Sequence, residues 1–225
     1  AGLLRPKPVQ MTYVERCRVL MPAMSLAGQM AGAPMHIVEL GCSAGIMLIF
    51  DKYAYEMRPG EVVGPLDAEI RLKGELHGKA KLEMPQVLSR TGIDLKLIDS
   101  HSADDRRWML ATCFPELLGE QQRLARAMDM VADTGIRWLE GDALKHVPRV
   151  LADTPDPVCL YHSACLMYWS ADAKAELERQ LVEASRGRTI LRVAVEAGEK
   201  FDRWQTGAGK PNGDPGEAAR ATVDR

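Results

Sequence analysis

A chain of 225 residues holds one large domain or two small ones. Hydrophobic residues make up 46% and charged residues 27%, the balance of a soluble globular protein. A net charge of −2 argues against a basic surface for nucleic acid or an anionic membrane, and no apolar run approaches the roughly 18–20 residues of a membrane span. The cysteines (Cys17, Cys42, Cys113, Cys159 and Cys165) are odd in number and form no C-x-x-C pair, so they read as reduced core thiols of a cytoplasmic protein. The opening "AGLLRPKPVQ" and the closing "GEAARATVDR" both read as cut ends.

"MTYVERCRVLMPAMSLAGQMAG" reads as a helix with Pro22 as its kink point, and Thr12 and Glu15 are spaced as a capping box. The apolar run "MHIVEL" is a strand. From Ser43 or Ala44 a second helix, "AGIMLIFDKYAY", is apolar on most sides, as a helix packed on a sheet should be. "RPGEVVGPL" is turn-rich, and "AEIRLKGEL" alternates as a half-exposed strand. "TGIDLKLIDS" is a short strand or an ordered loop, and "DDRRWMLATCF" opens a helix with acids at its positive end. Beyond Pro115, "ELLGEQQRLARAMDMVADTG" resumes the helical pattern, with Gly135 as C-cap. From Ile136 strands and helices alternate: "IRWLEGD", then "ALKHVPRVLAD" interrupted by Pro148, "PVCLYHS", a helix capped by Ser170, and "RTILRVAVEAG". Strands separated by helices predict a mainly parallel sheet covered on both faces. The predicted organisation is an N-terminal helical segment over 1–34, an α/β domain over 35–197 and a loose Gly/Pro-rich tail over 198–225.

The stretch "MHIVELGCSAG" carries the functional argument. In an open α/β sheet, ligands bind beyond the C-terminal ends of the strands. A phosphate-binding P-loop needs a Lys after its last glycine, and none follows Gly45. A dinucleotide fingerprint needs G-x-G-x-x-G, and Gly41-Cys42-Ser43-Ala44-Gly45 has another spacing. An acid at Glu39 would also sit poorly beside two phosphates. It suits the ammonium side of S-adenosylmethionine, while free N–H groups of the following helix suit that ligand's carboxylate.

"VELGCSAG" therefore resembles motif I of class I S-adenosylmethionine-dependent methyltransferases, (E/D)-x-G-x-G-x-G, with Ser43 in place of the middle glycine. More closely, "VELGCSAGIMLIFDKYAY", "GIDLKLIDSHSADDRRWMLATCFPE", "LEGDAL" and "LYHSACLMYW" resemble an uncharacterised bacterial family placed near those enzymes, over roughly residues 8–200. The resemblance implies an α/β, Rossmann-like class I methyltransferase-type three-layer sandwich that binds S-adenosylmethionine through Glu39, Gly41, Ser43 and Gly45. It puts Asp142 on the adenine amino group and Asp94 on the ribose hydroxyls, with Glu75 and Asp99 as rivals for that second role. It implies longer relatives, and a complete sheet of seven strands where only five or six are counted here.

His162, after the fourth strand of the α/β alternation, is the candidate general base or substrate contact, since an imidazole titrates near neutrality. A histidine bonded to a neighbouring loop is the equal alternative. Glu196 ends the next strand, and Tyr161, Tyr168 and Trp169 are candidates to wall a substrate pocket. The expected function is methylation of a small molecule. The rivals are a methyltransferase-like binding or regulatory module that has lost the cofactor, and a nicotinamide-dependent oxidoreductase of Rossmann type. No metal is expected, and the oligomeric state stays open.

Overall fold

The computed structural model describes residues 9–196, apart from Pro115 and Leu117, together with strand 220–224. A central sheet of six strands runs through it: β1 (Met35–Leu40), β5 (Val87–Asp94), β6 (Arg137–Glu140), β7 (Val158–Ser163), β8 (Ile190–Glu196) and β9 (Arg220–Asp224). Their spatial order is β6-β5-β1-β7-β8-β9. Neighbours pair in parallel except at β9, which runs antiparallel to β8, with Glu196 opposite Arg220. The tail read as loose thus contributes a strand that covers the outer edge of β8. The rest of that tail lies outside the described residues.

Alternation along the buried strands builds two cores. Ile37, Cys159, Tyr161, Leu191 and Val193 join one, shared with α1 (Cys17–Ala31) and α3 (Leu118–Ala132). Val38, Leu40, Leu160 and Ile190 join the other, under α4 (Ala143–Asp153) and α5 (Ala171–Ala184). Successive side chains of a strand point to opposite faces, so this partition makes three layers with the sheet in the middle. A short helix, α2 (Ala103–Ala111), starts at Ser102, whose side chain accepts the Asp105 N–H. No described helix is long and apolar enough to cross a membrane.

Several local expectations meet a different outcome. Thr12 and Glu15 form no capping box: a 3-10 turn, Val14–Arg16, leads into α1, and neither start has a side-chain cap. Thr12 is buried, and Glu15 pairs with Arg123 at 2.8 Å. Both Pro22 and Pro148 lie inside continuous helices. Helix α5 does start at Ser170, whose hydroxyl accepts the Ala173 N–H.

The largest departure follows the glycine loop, where no helix forms. Residues 46–49 are turns, Phe50–Lys52 is a 3-10 turn, and the chain enters β2 (Ala54–Arg58). Ile46, Met47, Leu48, Ile49 and Phe50 are all buried, a demand that a helix with one core-facing stripe does not meet. The backbone carbonyls freed by this choice find tyrosine hydroxyls. Tyr53 donates to the Ile46 carbonyl at 2.8 Å, and Tyr55 to that of Phe50 at 2.7 Å. Strand β2 pairs antiparallel with β3 (Glu61–Val63) and parallel with β4 (Arg71–Lys73), a separate three-stranded sheet. The alternation read in "AEIRLKGEL" is its burial pattern, with Ile70 and Leu72 inside and Arg71 and Lys73 exposed. A sheet therefore stands where a crossover helix was expected between β1 and β5.

Candidate functional site

Strand β1 has parallel neighbours on both sides, β5 and β7, and the strand order reverses between β1 and β7. The crevice at the topological switch point therefore opens beyond the C-terminal end of β1, with the tip of β5 on its other flank. The turn out of β1 is tight. Gly41 and Cys42 both donate N–H bonds to the Ile93 carbonyl, at 2.8 and 3.3 Å, and Gly45 donates to Cys42 at 2.7 Å. Gly41 and Gly45 have φ of 72° and 71°, where glycine carries no steric cost. Both are also pressed from outside: a Cβ on Gly41 would lie 2.6 Å from Cys165 Sγ, and one on Gly45 would strike the Trp138 ring.

Ser43 occupies the left-handed region too, with φ of 51°. Its conformation is held from two sides. Its N–H donates to Asp94 Oδ2 at 2.7 Å, and its hydroxyl donates to Gln10 Oε1 at 2.9 Å. Asp94, the last residue of β5, thus stands directly against the loop, where the sequence reading put it. Its other oxygen accepts from the Lys96 N–H at 3.0 Å and from Gln10 Nε2 at 3.2 Å. Of its rivals, Asp99 accepts the His101 N–H at 2.8 Å and lines the cleft beside the loop, while Glu75 is exposed beyond β4.

Glu39 is placed otherwise than an ammonium ligand would need. It is 2% exposed, and Oε2 accepts the Tyr161 hydroxyl at 3.2 Å. Burial pushes its carboxyl well above the usual range, Tyr161 offsets part of this, and the nearby Asp94 adds to it. Among the described residues no cation is hydrogen-bonded to it, and burial favours its protonated form.

His162 is fully buried. Its Nδ1 lies 2.7 Å from Glu196 Oε1, and Nε2 accepts from Arg192 Nε at 3.3 Å. A guanidinium only donates, so Nε2 is bare and the proton sits on Nδ1. Arg192 in turn reaches Glu178 Oε2 at 2.7 Å. Burial raises the Glu196 carboxyl, but the hydrogen bonds from His162, Cys165 and Leu166 outweigh it, and the net shift is downward. Cys165 N–H and Leu166 N–H reach Glu196 Oε1 at 3.0 and 3.1 Å. The arrangement pins the loop after β7, the loop that seats Cys165 against Gly41. In this geometry His162 is the neighbour-bonded histidine and not an exposed base.

Asp142 is exposed and serves as N-cap of α4, its Oδ1 accepting the Leu144 N–H at 3.0 Å. Tyr168 is exposed, and Tyr161 is core. A cleft of about 240 Å³ adjoins the loop, lined by Leu97, Ile98, Ser100, Val131, Thr134 and Trp138 among others. Ile98 connects it to the loop by donating its N–H to the Ser43 carbonyl at 3.3 Å.

A residue at the loop that sequence reading missed is Gln10. It lies 33 positions from Ser43 and 84 from Asp94, and no motif includes it.

For S-adenosylmethionine these residues are a partial fit. Acids at the tips of successive strands, Asp94 and Asp142, suit an adenosine. The carboxylate of the methionine half lacks the helix N-terminus expected for it, and Glu39 is turned into the core.

Among curated proteins nothing matches the chain. Among solved structures, a cyclopropane-fatty-acyl-phospholipid synthase-like protein from Lactobacillus casei is similar at 15% identity and a TM-score of 0.35, over 82% of this chain. The match spans half of that protein's length, 50%. The family described as an uncharacterized protein conserved in bacteria, DUF2332, matches residues 1–223. The chain belongs to that family.

Proposed function

We propose that the protein is a methyltransferase-like enzyme that binds S-adenosylmethionine at the C-terminal edge of β1 and β5 and methylates a small molecule. The observation that carries this reading is the Asp94 carboxylate at the tip of β5, 2.7 Å from the Ser43 N–H of the glycine loop. An acid there accepts from the paired hydroxyls of a ribose. The cleft beside the loop, walled by Ile98 and Trp138, suits a planar base, and Asp142 caps the next strand over. The antiparallel β9 also sets this sheet apart from the nicotinamide-binding order, in which the strand after the fifth continues in parallel.

When bound, the ligand supplies an electrophilic methyl group on a sulfonium. The chain's part is then to hold and orient, and no strong acid–base pair is required of it. Asp94 and Asp142 hold the adenosine, the loop fixes its depth, and the relay of Glu196 and His162 keeps the β7 loop in place behind it. Calorimetric titration with S-adenosylhomocysteine tests the reading. Saturable heat with a micromolar dissociation constant is expected, and reduced nicotinamide cofactors should give no fluorescence change. A folded sample that gives no heat at high micromolar ligand overturns it.

A second reading, a module that has lost the cofactor, is favoured by one observation: the Ser43 side chain is engaged by the protein's own Gln10. It predicts the silent titration.

A further inference from the structure

Gln10 spans the gap between the loop and the acid with both ends of its amide. Oε1 accepts from Ser43 Oγ at 2.9 Å, while Nε2 donates to Asp94 Oδ1 at 3.2 Å and to the Lys96 carbonyl at 3.0 Å. A ribose diol asks for the same partners, since its hydroxyls donate to the carboxylate and accept from a serine. Amide and diol therefore compete for one set of polar atoms.

The segment that delivers Gln10 is lightly held. Val9 is 61% exposed and Met11 45%, so neither flanking side chain is buried. Among the described residues the Gln10 carbonyl has a long contact with Thr112 Oγ1, at 3.5 Å, and the Met11 carbonyl accepts from Arg16 at 3.1 Å. Firm anchorage begins at Thr12 and Val14, both buried. Among the described residues the amide is thus what ties residues 9–11 to the ligand edge, with the buried Thr12 directly behind it as a pivot.

We propose that Gln10 is a built-in stand-in for the ligand, and that residues 9–11 form a strap which a nucleoside diol must displace to reach Asp94. The inference rests on the adenosyl-ligand reading of the same edge and adds a cost of entry to it. Apparent affinity falls by the fraction of molecules whose strap is open. Gln10→Ala removes the competing amide, and Gln10→Glu sets a second negative charge against Asp94; both release the strap.

The experiment is titration of S-adenosylhomocysteine into the wild type and both variants, with hydrogen exchange of residues 9–13 followed with and without ligand. Binding about tenfold tighter in Gln10→Ala is expected, together with faster exchange of the strap when wild type is saturated. Binding that is unchanged or weaker in both variants, with wild type still binding, overturns the strap and leaves the ligand reading intact. Silence from all three folded proteins removes the ligand reading and the strap with it.

Discussion

The two halves of the sheet solve the same problem differently. From β6 to β8 each crossover is a regular helix, α4 and then α5, whose starts are capped by Asp142 and Ser170. Between β1 and β5 the crossover is a run of buried turns followed by a small second sheet. In the helical half, backbone hydrogen bonds are satisfied locally and the core sits on one stripe. In the other half, tyrosine hydroxyls satisfy carbonyls, and every side chain from Ile46 to Phe50 is buried. The half next to the glycine loop thus gives up a helix N-terminus, and with it the fixed positive end that would greet an anion. What stands at the loop instead is side-chain chemistry from Asp94 and Gln10.

The comparison breaks most sharply by deleting packing in the helical half. Leu177 of α5 is fully buried, and Leu177→Ala should cost about 3 kcal/mol in urea unfolding. The loss should appear in all probes together, because the cavity lies in a shared core.

Gly41→Ala strikes the junction of the two halves. A Cβ 2.6 Å from Cys165 Sγ, on a backbone with φ of 72°, should cost about 2 kcal/mol. Adding Cys165→Ala should return the part due to contact and leave the part due to the backbone. Full recovery, or none, would contradict that division.

Tyr55→Phe tests the other half. It removes one of the two donors to the Phe50 carbonyl, leaving the Tyr53 N–H at 3.2 Å, and should cost about 1 kcal/mol. Hydrogen exchange should quicken across residues 46–58 more than in α4 and α5; a uniform change would show that the two halves open together.

The smallest effect concerns Glu15, beside the strap. Burial raises its carboxyl, as do the hydrogen bond and the charge of Glu120, while Arg123 and Arg18 offset part of this; the value is about 7. A carboxyl raised in the folded state binds a proton that the unfolded chain has already released. Stability therefore falls as pH rises from about 4.5 to about 7. Glu15→Gln should remove that slope, with a gain of about 1 kcal/mol at pH 8 and little change below pH 4.5, read from melts at several pH values. A slope that persists in the variant assigns it to another group.

The legible parts of this molecule are those where one periodicity acts alone. "VCLYHS" and "ILRVAVE" are buried on both faces and flanked by helices, so their runs could be nothing else. Asp94 is legible through the resemblance of "GIDL" to a methyltransferase pattern, with Glu75 and Asp99 as rivals, and it ends β5 beside the glycine turn. "AGIMLIFDKYAY" misled because an apolar run has no polar face to give its period away. The signal was present further on, where Tyr53, Tyr55 and Met57 are buried at intervals of two. Glu39 could not be oriented from sequence, since a strand end next to a glycine turn does not say whether the acid meets solvent or a buried tyrosine. Gln10 left no trace at all, because its partners are brought to it only by the folded chain.

The seat of Cys165 against Gly41 also makes this thiol a gauge. Burial pushes it up to about 12, so near neutral pH it is the unreactive thiol rather than the thiolate. The thiol is partly exposed, so alkylation is slowed by its protonation and by its seat against the glycine turn. The rate of iodoacetamide labelling at Cys165 therefore reports on the packing of the β7 loop against the glycine turn, and a ligand that covers the turn would slow it.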